Sequence, residues 1–97
     1  MVKYKAIQMK ATDNVATVIE NIAAGTEVSF AVGDSSASVL MIEAIPFGHK
    51  FATKDIAPGE GIRKYGEAIG AATADIKAGQ HVHVHNMESC RGRGDKE

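Results

Sequence analysis

The chain has little of several features that mark common classes of protein. It has 97 residues and a single cysteine, Cys90, so no disulfide can form within it, as is usual for proteins of a reducing compartment. Aromatic residues make up 5% of the sequence, whereas an RNA-binding sheet normally presents several exposed aromatics. Eleven basic and twelve acidic residues leave a formal charge of −1. This balance gives no electrostatic reason to expect nucleic acid or an anionic membrane as a partner.

Long apolar segments are also missing. The apolar runs are short and interrupted, and the first residues, Met1–Lys5, lack the apolar core of a signal peptide. We therefore expect a cytoplasmic protein. A chain of this length fits one small domain but is too short to surround a substrate on every side. An enzyme built from it is expected to need a partner.

An internal repeat organises the sequence. Residues 21–28, 55–62 and 75–82 all fit the pattern [Asn/Asp]-Ile-x-[Ala/Pro]-Gly-x-x-[Val/Ile]. The pattern predicts a turn that leads into a strand, because Gly can take a positive φ and the apolar residues on either side can anchor the turn to a core. Three unevenly spaced copies do not make a solenoid.

Strands are predicted throughout, and the fold class is therefore mostly β. The best helical candidate is Asp13–Ile22, but its β-branched residues favour a strand. With so few aromatics, the core must consist of Ile, Val and Ala. The predicted strands are Tyr4–Met9, Val15–Ile19, Glu27–Val32, Ala37–Ala44, Lys50–Thr53, Ile62–Tyr65, Ala68–Ala71 and Gln80–Asn86.

Three of the four histidines alternate with valines in the last predicted strand. In an extended strand His81, His83 and His85 would share one face, and Val82 and Val84 would pack on the other. Imidazole is both a common metal ligand and a common acid or base near neutral pH. Residues 81 and 85 would lie about 13 Å apart in a strand, so at most two neighbouring histidines could bind one ion. The alternative is a solvated edge strand in which histidine is a polar filler.

Three blocks of sequence carry a family resemblance: residues 45–60, 64–70 and 79–86. They resemble the amino-terminal domain of the altronate dehydratase family, a SAF-type domain. The resemblance implies a β-clip fold, which would occupy residues 1–87 and leave 88–97 as a flexible tail. Members of the family carry this domain either at the front of a longer chain or as a separate small subunit. Relatives include galactarate dehydratase and the alpha subunit of sulfolactate sulfo-lyase, and this chain resembles the separate form.

The resemblance also implies a function. Members of the family are lyases that act on hydroxy acids such as altronate and are associated with a divalent metal, Fe(II) or Mn(II). By this resemblance the chain is the small subunit of such a lyase and binds a large catalytic subunit. His83 and His85 are the preferred metal ligands or catalytic groups, because they precede Asn86 at the exit of the predicted strand, where side chains can turn into a cleft. The alternative is a stand-alone binding module that captures a metal or a sugar acid without turnover. The sequence leaves the substrate and homo-oligomerisation open.

Other residues are candidates for the same site. His49 follows a Pro-Phe-Gly turn, which either aims it at the cleft as a catalytic group or uses it to cap the turn. Lys50 could hold a substrate carboxylate or could simply be solvated. Asn86 is a substrate-binding candidate at the exit of the predicted strand. Arg91 and Arg93 could pair with substrate carboxylates, although a polar terminal segment is commonly mobile.

Overall fold

The computed structural model describes residues 4–32 and 34–89, and these residues form strands and turns without a helix. The prediction of a mostly β fold is confirmed, and the helical candidate at 13–22 contains a strand instead. The strands are β1 (Ala6–Gln8), β2 (Val15–Val18), β3 (Glu27–Val32), β4 (Ser35–Leu40), β5 (Lys50–Ala52), β6 (Gly61–Lys64), β7 (Glu67–Ala72), β8 (His81–Val82) and β9 (Met87–Ser89).

The strands form two sheets. The larger sheet has the order β4-β3-β1-β2-β5-β8, and the smaller has the order β6-β7-β9. All neighbouring strands are antiparallel except β1 and β3, which are parallel. In the larger sheet, β8 at the edge pairs with β5 so that His81 lies opposite Phe51.

The repeat is a turn motif that occurs four times rather than three. The sequence pattern missed the copy at 44–51, because Ala44 replaces Asn or Asp, Phe47 replaces Ala or Pro, and Phe51 replaces Val or Ile. In each copy the glycine has a positive φ, between 84° and 88°, which favours glycine over any residue with a Cβ. These glycines are Gly25, Gly48, Gly59 and Gly79.

The four turns interlock in two pairs. Ile22 bridges Ile45, and Ile56 bridges Ile76, each through two backbone hydrogen bonds. The glycine N–H of each turn also donates to a backbone carbonyl of the paired turn's segment. The acceptor is always the residue three positions before the first residue of the paired motif. These bonds run from Gly25 to Met41 (2.7 Å), Gly48 to Val18 (3.1 Å), Gly59 to Ala72 (2.7 Å) and Gly79 to Ala52 (2.8 Å).

Each pair of turns belongs to its own hydrophobic core. The rings of Phe30 and Phe51 meet edge to face in the first core, with centroids 5.6 Å apart. The first core contains Ala6, Ala16, Val18, Ile22, Val28, Phe30, Met41, Ile45 and Phe51. The second contains Val15, Ala52, Ile56, Ile62, Ala72, Ile76 and Val82. Strands β2 and β5 contribute to both cores and join them.

The predicted strand Gln80–Asn86 is wrong over most of its length. Strand β8 ends at Val82, residues 83–86 turn, and β9 then pairs with β7. The side chain of Asn86 closes this turn: its Nδ2 donates to the His81 carbonyl at 2.8 Å and its Oδ1 accepts from the His83 N–H at 3.0 Å. Asparagine commonly stabilises turns in this way, and here it overrides the β-propensity of the valines.

The boundary drawn at residue 87 falls inside β9. Glu88 and Ser89 pair with Ala71 and Gly70, so the smaller sheet extends two residues into the segment predicted to be a flexible tail. The remainder of that segment, with Cys90, Arg91 and Arg93, lies outside the described residues.

Candidate metal centre

The four histidines converge where β5 and β8 begin. His49 belongs to the turn motif at 44–51 and immediately precedes β5. His81 is the first residue of β8, which pairs with β5. His83 and His85 lie in the turn that Asn86 closes. The sequence spacing groups His81, His83 and His85, and the pairing of β5 with β8 adds His49 to this group.

The rings lie close together. His49 Nδ1 is 2.9 Å from His81 Nε2, a hydrogen-bonding distance. The His83 ring stacks on His49 with centroids 4.6 Å apart and lies nearly parallel to His81 at 5.6 Å. The centroids of His81 and His85 are 5.4 Å apart. The separation predicted for residues 81 and 85 is therefore wrong, because the chain turns after Val82 instead of continuing as a strand.

Two sets of three ligand atoms are preformed in this cluster. One set is His49, His81 and His83, and the other is Glu43, His81 and His85; within each set the atoms lie within 4.8 Å of one another. Each set contains two of the three histidines 81, 83 and 85, and the third ligand comes from outside that segment, from His49 or Glu43. His83 and His85, predicted as a ligand pair, fall in different sets, and His81 belongs to both.

Glu43 is the site residue that sequence reasoning missed. Its Oε1 accepts a hydrogen bond from the His81 N–H at 2.8 Å, which holds the carboxylate beside the cluster. The Ile42 N–H donates to the Gly79 carbonyl at 3.0 Å, and this bond brings the two segments together. Glu43 lies 38 residues from His81, and no spacing signal in the sequence links the two.

Burial and the neighbouring histidines favour the neutral form of His81 and His83. Desolvation lowers the pKa of His81, and the nearby His49, His85 and His83 lower it further, against an opposing effect of Glu43. The pKa of His83 is lowered by desolvation first and then by His49, Lys50 and His85. A neutral imidazole keeps a lone pair on one nitrogen, which a metal ligand or a general base requires.

The other predicted site residues have different surroundings. Lys50 is half-buried at the start of β5, and its pKa is lowered by desolvation and then by Lys64. It follows His49 in the chain and lies opposite Val82 in the β5–β8 pair, between His81 and His83. Asn86 is 3% exposed, and both polar ends of its side chain bond to backbone, so it positions the turn instead of facing a substrate. Arg91 and Arg93 lie outside the described residues.

The geometry fits a first-row divalent cation. Metal–nitrogen bonds of about 2.1 Å place tetrahedral ligand atoms roughly 3.4 Å apart. The ligand atoms of both sets lie within 4.8 Å of one another, so small side-chain rotations would bring them to that spacing. His49, His81 and His83 are half-buried, whereas His85 is exposed. The cluster is thus anchored on one side and open to solvent on the other.

The sequence match now assigns the family. The model of the altronate/galactarate dehydratase SAF domain matches residues 4–90. The chain belongs to this family. The resemblance seen in the three sequence blocks is therefore confirmed, and all four histidines and Glu43 lie within the matched SAF domain.

Relatives of this SAF domain differ in architecture. Altronate dehydratase of Escherichia coli (strain K12) is 48% identical over 83 residues, which are 86% of this chain but 16% of that protein. Altronate dehydratase of Bacillus subtilis (strain 168) is 36% identical over a region that is again 16% of its length. The (2R)-sulfolactate sulfo-lyase subunit alpha of Chromohalobacter salexigens is 38% identical over 76 residues, covering 76% of this chain and 81% of that subunit. The chain thus spans a small part of the dehydratases and most of the sulfo-lyase subunit.

The described residues contain no helix that is long and apolar enough to cross a membrane.

Proposed function

We propose that this chain is the SAF subunit of a metal-dependent lyase that acts on hydroxy acids. In this proposal it contributes the histidine cluster to an active site that a separate large catalytic subunit completes. The observation that carries the proposal is the convergence of the four histidines and Glu43 where β5 meets β8, which builds two preformed ligand sets around His81. Family membership supports lyase chemistry, since the curated relatives are dehydratases and a sulfo-lyase subunit.

The cluster suits the two demands of this reaction. Elimination from a hydroxy acid requires removal of a weakly acidic proton beside a carboxylate and departure of a poor leaving group. A divalent cation, Fe(II) or Mn(II), would supply Lewis acidity to the substrate's carboxylate and hydroxyl. His81 together with one of its two ligand sets would hold that cation.

The side chains outside the ligand set have the remaining tasks. When His83 does not bind the cation, its lowered pKa favours the neutral imidazole, which can accept the proton. Lys50, which lies opposite Val82, would attract a substrate carboxylate in this proposal. The exposed side of the cluster at His85 is where substrate and large subunit would approach. Arg91 and Arg93 remain candidates for carboxylates of the substrate or of the large subunit.

The two kinds of relative favour different substrates. The higher identity to altronate dehydratase favours a sugar acid such as altronate. The match over 81% of a named alpha subunit favours a two-subunit enzyme and keeps sulfolactate as a second candidate.

Reconstitution tests the proposal. We expect the chain, purified with its large subunit and loaded with Fe(II) or Mn(II) without oxygen, to convert altronate to the keto acid. His83→Ala and His85→Ala should each lower the activity of this complex at least about a hundredfold, as expected for loss of a ligand or a general base. Val84→Ala is the matched control, because Val84 lies between them in the same turn, is 77% exposed and should retain full activity.

Three outcomes would contradict the proposal: no turnover of altronate, galactarate or sulfolactate by the complex, full activity in a His83/His85 double variant that still binds the large subunit, or no complex at all. The last outcome, together with binding of a metal or a sugar acid by the chain alone, would favour the stand-alone binding module.

A further inference from the structure

The two ligand sets of the cluster differ in chemistry. His49, His81 and His83 offer three imidazole nitrogens, whereas Glu43, His81 and His85 offer two imidazoles and a carboxylate. Three imidazoles with an open fourth position are typical of zinc, whereas two histidines with one carboxylate occur in non-haem Fe(II) sites as well as in zinc sites. Carboxylate oxygen also suits Mn(II) better than an all-imidazole set does.

The surroundings of the two sets separate them further. The three-histidine set is half-buried throughout, so its geometry is constrained by β5, β8 and the second turn motif. The other set ends in the exposed His85, and its Glu43 carboxylate is fixed on the His81 N–H at 2.8 Å. An ion in this second set would keep coordination positions open toward solvent, as binding of a hydroxy acid requires.

The shared residue makes the two sets exclusive. A neutral imidazole has one nitrogen with a lone pair and one that carries a proton, so it binds one cation at a time. His81 stands in both sets, and its Nε2 already lies 2.9 Å from His49 Nδ1. An ion bound between His49, His81 and His83 therefore removes a ligand from the set that contains Glu43.

We propose that Glu43, His81 and His85 bind the working Fe(II) or Mn(II), and that Zn(II) bound by His49, His81 and His83 expels that ion by taking the lone pair of His81. The inference rests on the proposed function only in that the cluster binds a divalent cation. It adds Glu43 as a ligand and makes zinc an inhibitor that acts from a neighbouring set instead of at the same site.

The test uses Mn(II), whose free hydrated ion gives a sharp six-line electron paramagnetic resonance signal, and the full chain after removal of metals with a chelator. We expect the wild-type chain to bind one Mn(II), and one equivalent of Zn(II) to restore the free-ion signal. Glu43→Gln should weaken Mn(II) binding at least about tenfold while Zn(II) still binds. The glutamine keeps a carbonyl oxygen for the His81 N–H, so this variant should retain its fold.

His49→Gln is the matched variant on the other set. It should retain Mn(II), and displacement of that ion should require at least about tenfold more Zn(II) than in the wild type. This shift separates the proposal from simple competition at one site, in which zinc would displace manganese equally well from both proteins. Thermal melting of each metal-free variant checks that it is folded.

Several results would overturn the inference. They are Mn(II) binding that is unchanged in Glu43→Gln, Mn(II) binding that is lost in His49→Gln, an unchanged zinc requirement in His49→Gln, Mn(II) and Zn(II) bound together to one chain, or no Mn(II) binding by the wild type. The first four concern the ligand assignment alone, whereas absence of Mn(II) binding by the wild type would also remove the metal from the proposed function. Failure of the proposed lyase function is read separately, from turnover by the reconstituted complex.

Discussion

Buried polar side chains determine where the site residues lie. Asn86 fixes the turn that carries His83 and His85, since its Nδ2 and Oδ1 both bond to backbone of residues 81 and 83. Its own N–H donates to the His83 carbonyl, and its carbonyl accepts from the Thr73 N–H. One side chain thus converts a run of alternating histidines and valines into a compact turn.

Val82 and Val84 are predicted to have different effects on stability. Val82 is fully buried in the second core, whereas Val84 is 77% exposed in the turn. Val82→Ala should lower the free energy of unfolding by about 1–3 kcal/mol, and Val84→Ala should change it by less than about 0.5 kcal/mol. Urea unfolding of the two variants measures the difference.

Equal losses in the two variants would contradict the turn, because an unbroken strand buries both valines on one face. The alternating sequence predicts that both valines are buried, and this prediction is wrong for Val84, which is exposed.

At the scale of elements, the molecule depends on turns more than on long strands. The strands are two to six residues long, and the four turn motifs tie them together in pairs. A further turn at Tyr65 and Gly66, both with positive φ, joins β6 to β7. The buried carboxylate of Asp13 accepts hydrogen bonds from both of their N–H groups, at 3.0 and 2.7 Å, and so fixes this hairpin to the loop before β2.

The turn glycines provide a matched pair of substitutions. Gly59 and Gly79 have φ of 84° and 88°, so an alanine at either position costs about 1–2 kcal/mol in backbone conformation. A Cβ at Gly59 would meet nothing within 4 Å, whereas one at Gly79 would overlap the Leu40 carbonyl oxygen. Gly79→Ala should therefore destabilise the chain by about 1–3 kcal/mol more than Gly59→Ala, as measured by urea unfolding.

The same pair tests the link to the metal centre. Gly79 accepts the Ile42 N–H that holds the Glu43 segment, so Gly79→Ala should also disturb Mn(II) binding, while Gly59→Ala leaves it intact. Equal stability of the two variants would show that β4 does not press against this turn.

At the scale of the whole molecule, the chain forms two hydrophobic cores and carries the histidine cluster on its surface. Each core buries the isoleucines of one pair of turns, and β2 and β5 run between the cores. The histidine cluster lies on the surface where β5 meets β8, and His85 is exposed. The molecule therefore presents its site outward instead of enclosing it.

The isolated chain is predicted to fold without catalysing. Two closed cores should give a cooperative melting transition, but an outward-facing cluster cannot exclude water from a substrate by itself. Assays of altronate, galactarate and sulfolactate with the purified, metal-loaded chain should show no turnover. Turnover by the chain alone would remove the need for a large subunit.

The sequence alone determined the class of fold, the turn motif and the family. These properties depend on local sequence. A glycine with isoleucine three residues before it and a β-branched residue three residues after it indicates a turn with positive φ, as at Gly25, Gly59 and Gly79. The fourth copy, around Gly48, escaped because its flanking residues depart from the pattern while its backbone does not. The histidine spacing also marked the segment that carries three of the four clustered histidines.

Only the tertiary structure decided which side chains meet. The pairing of β5 with β8 brings His49 to His81 across 32 residues, and the bond from Ile42 to Gly79 brings Glu43 to the same place. Such contacts depend on strand register and on how turns dock, which no local pattern encodes. The alternation of histidine and valine is compatible with a strand as well as with a turn. The hydrogen bonds of the Asn86 side chain select the turn. The sequence supplied the donor atoms, and the fold sorted them into two sets around His81.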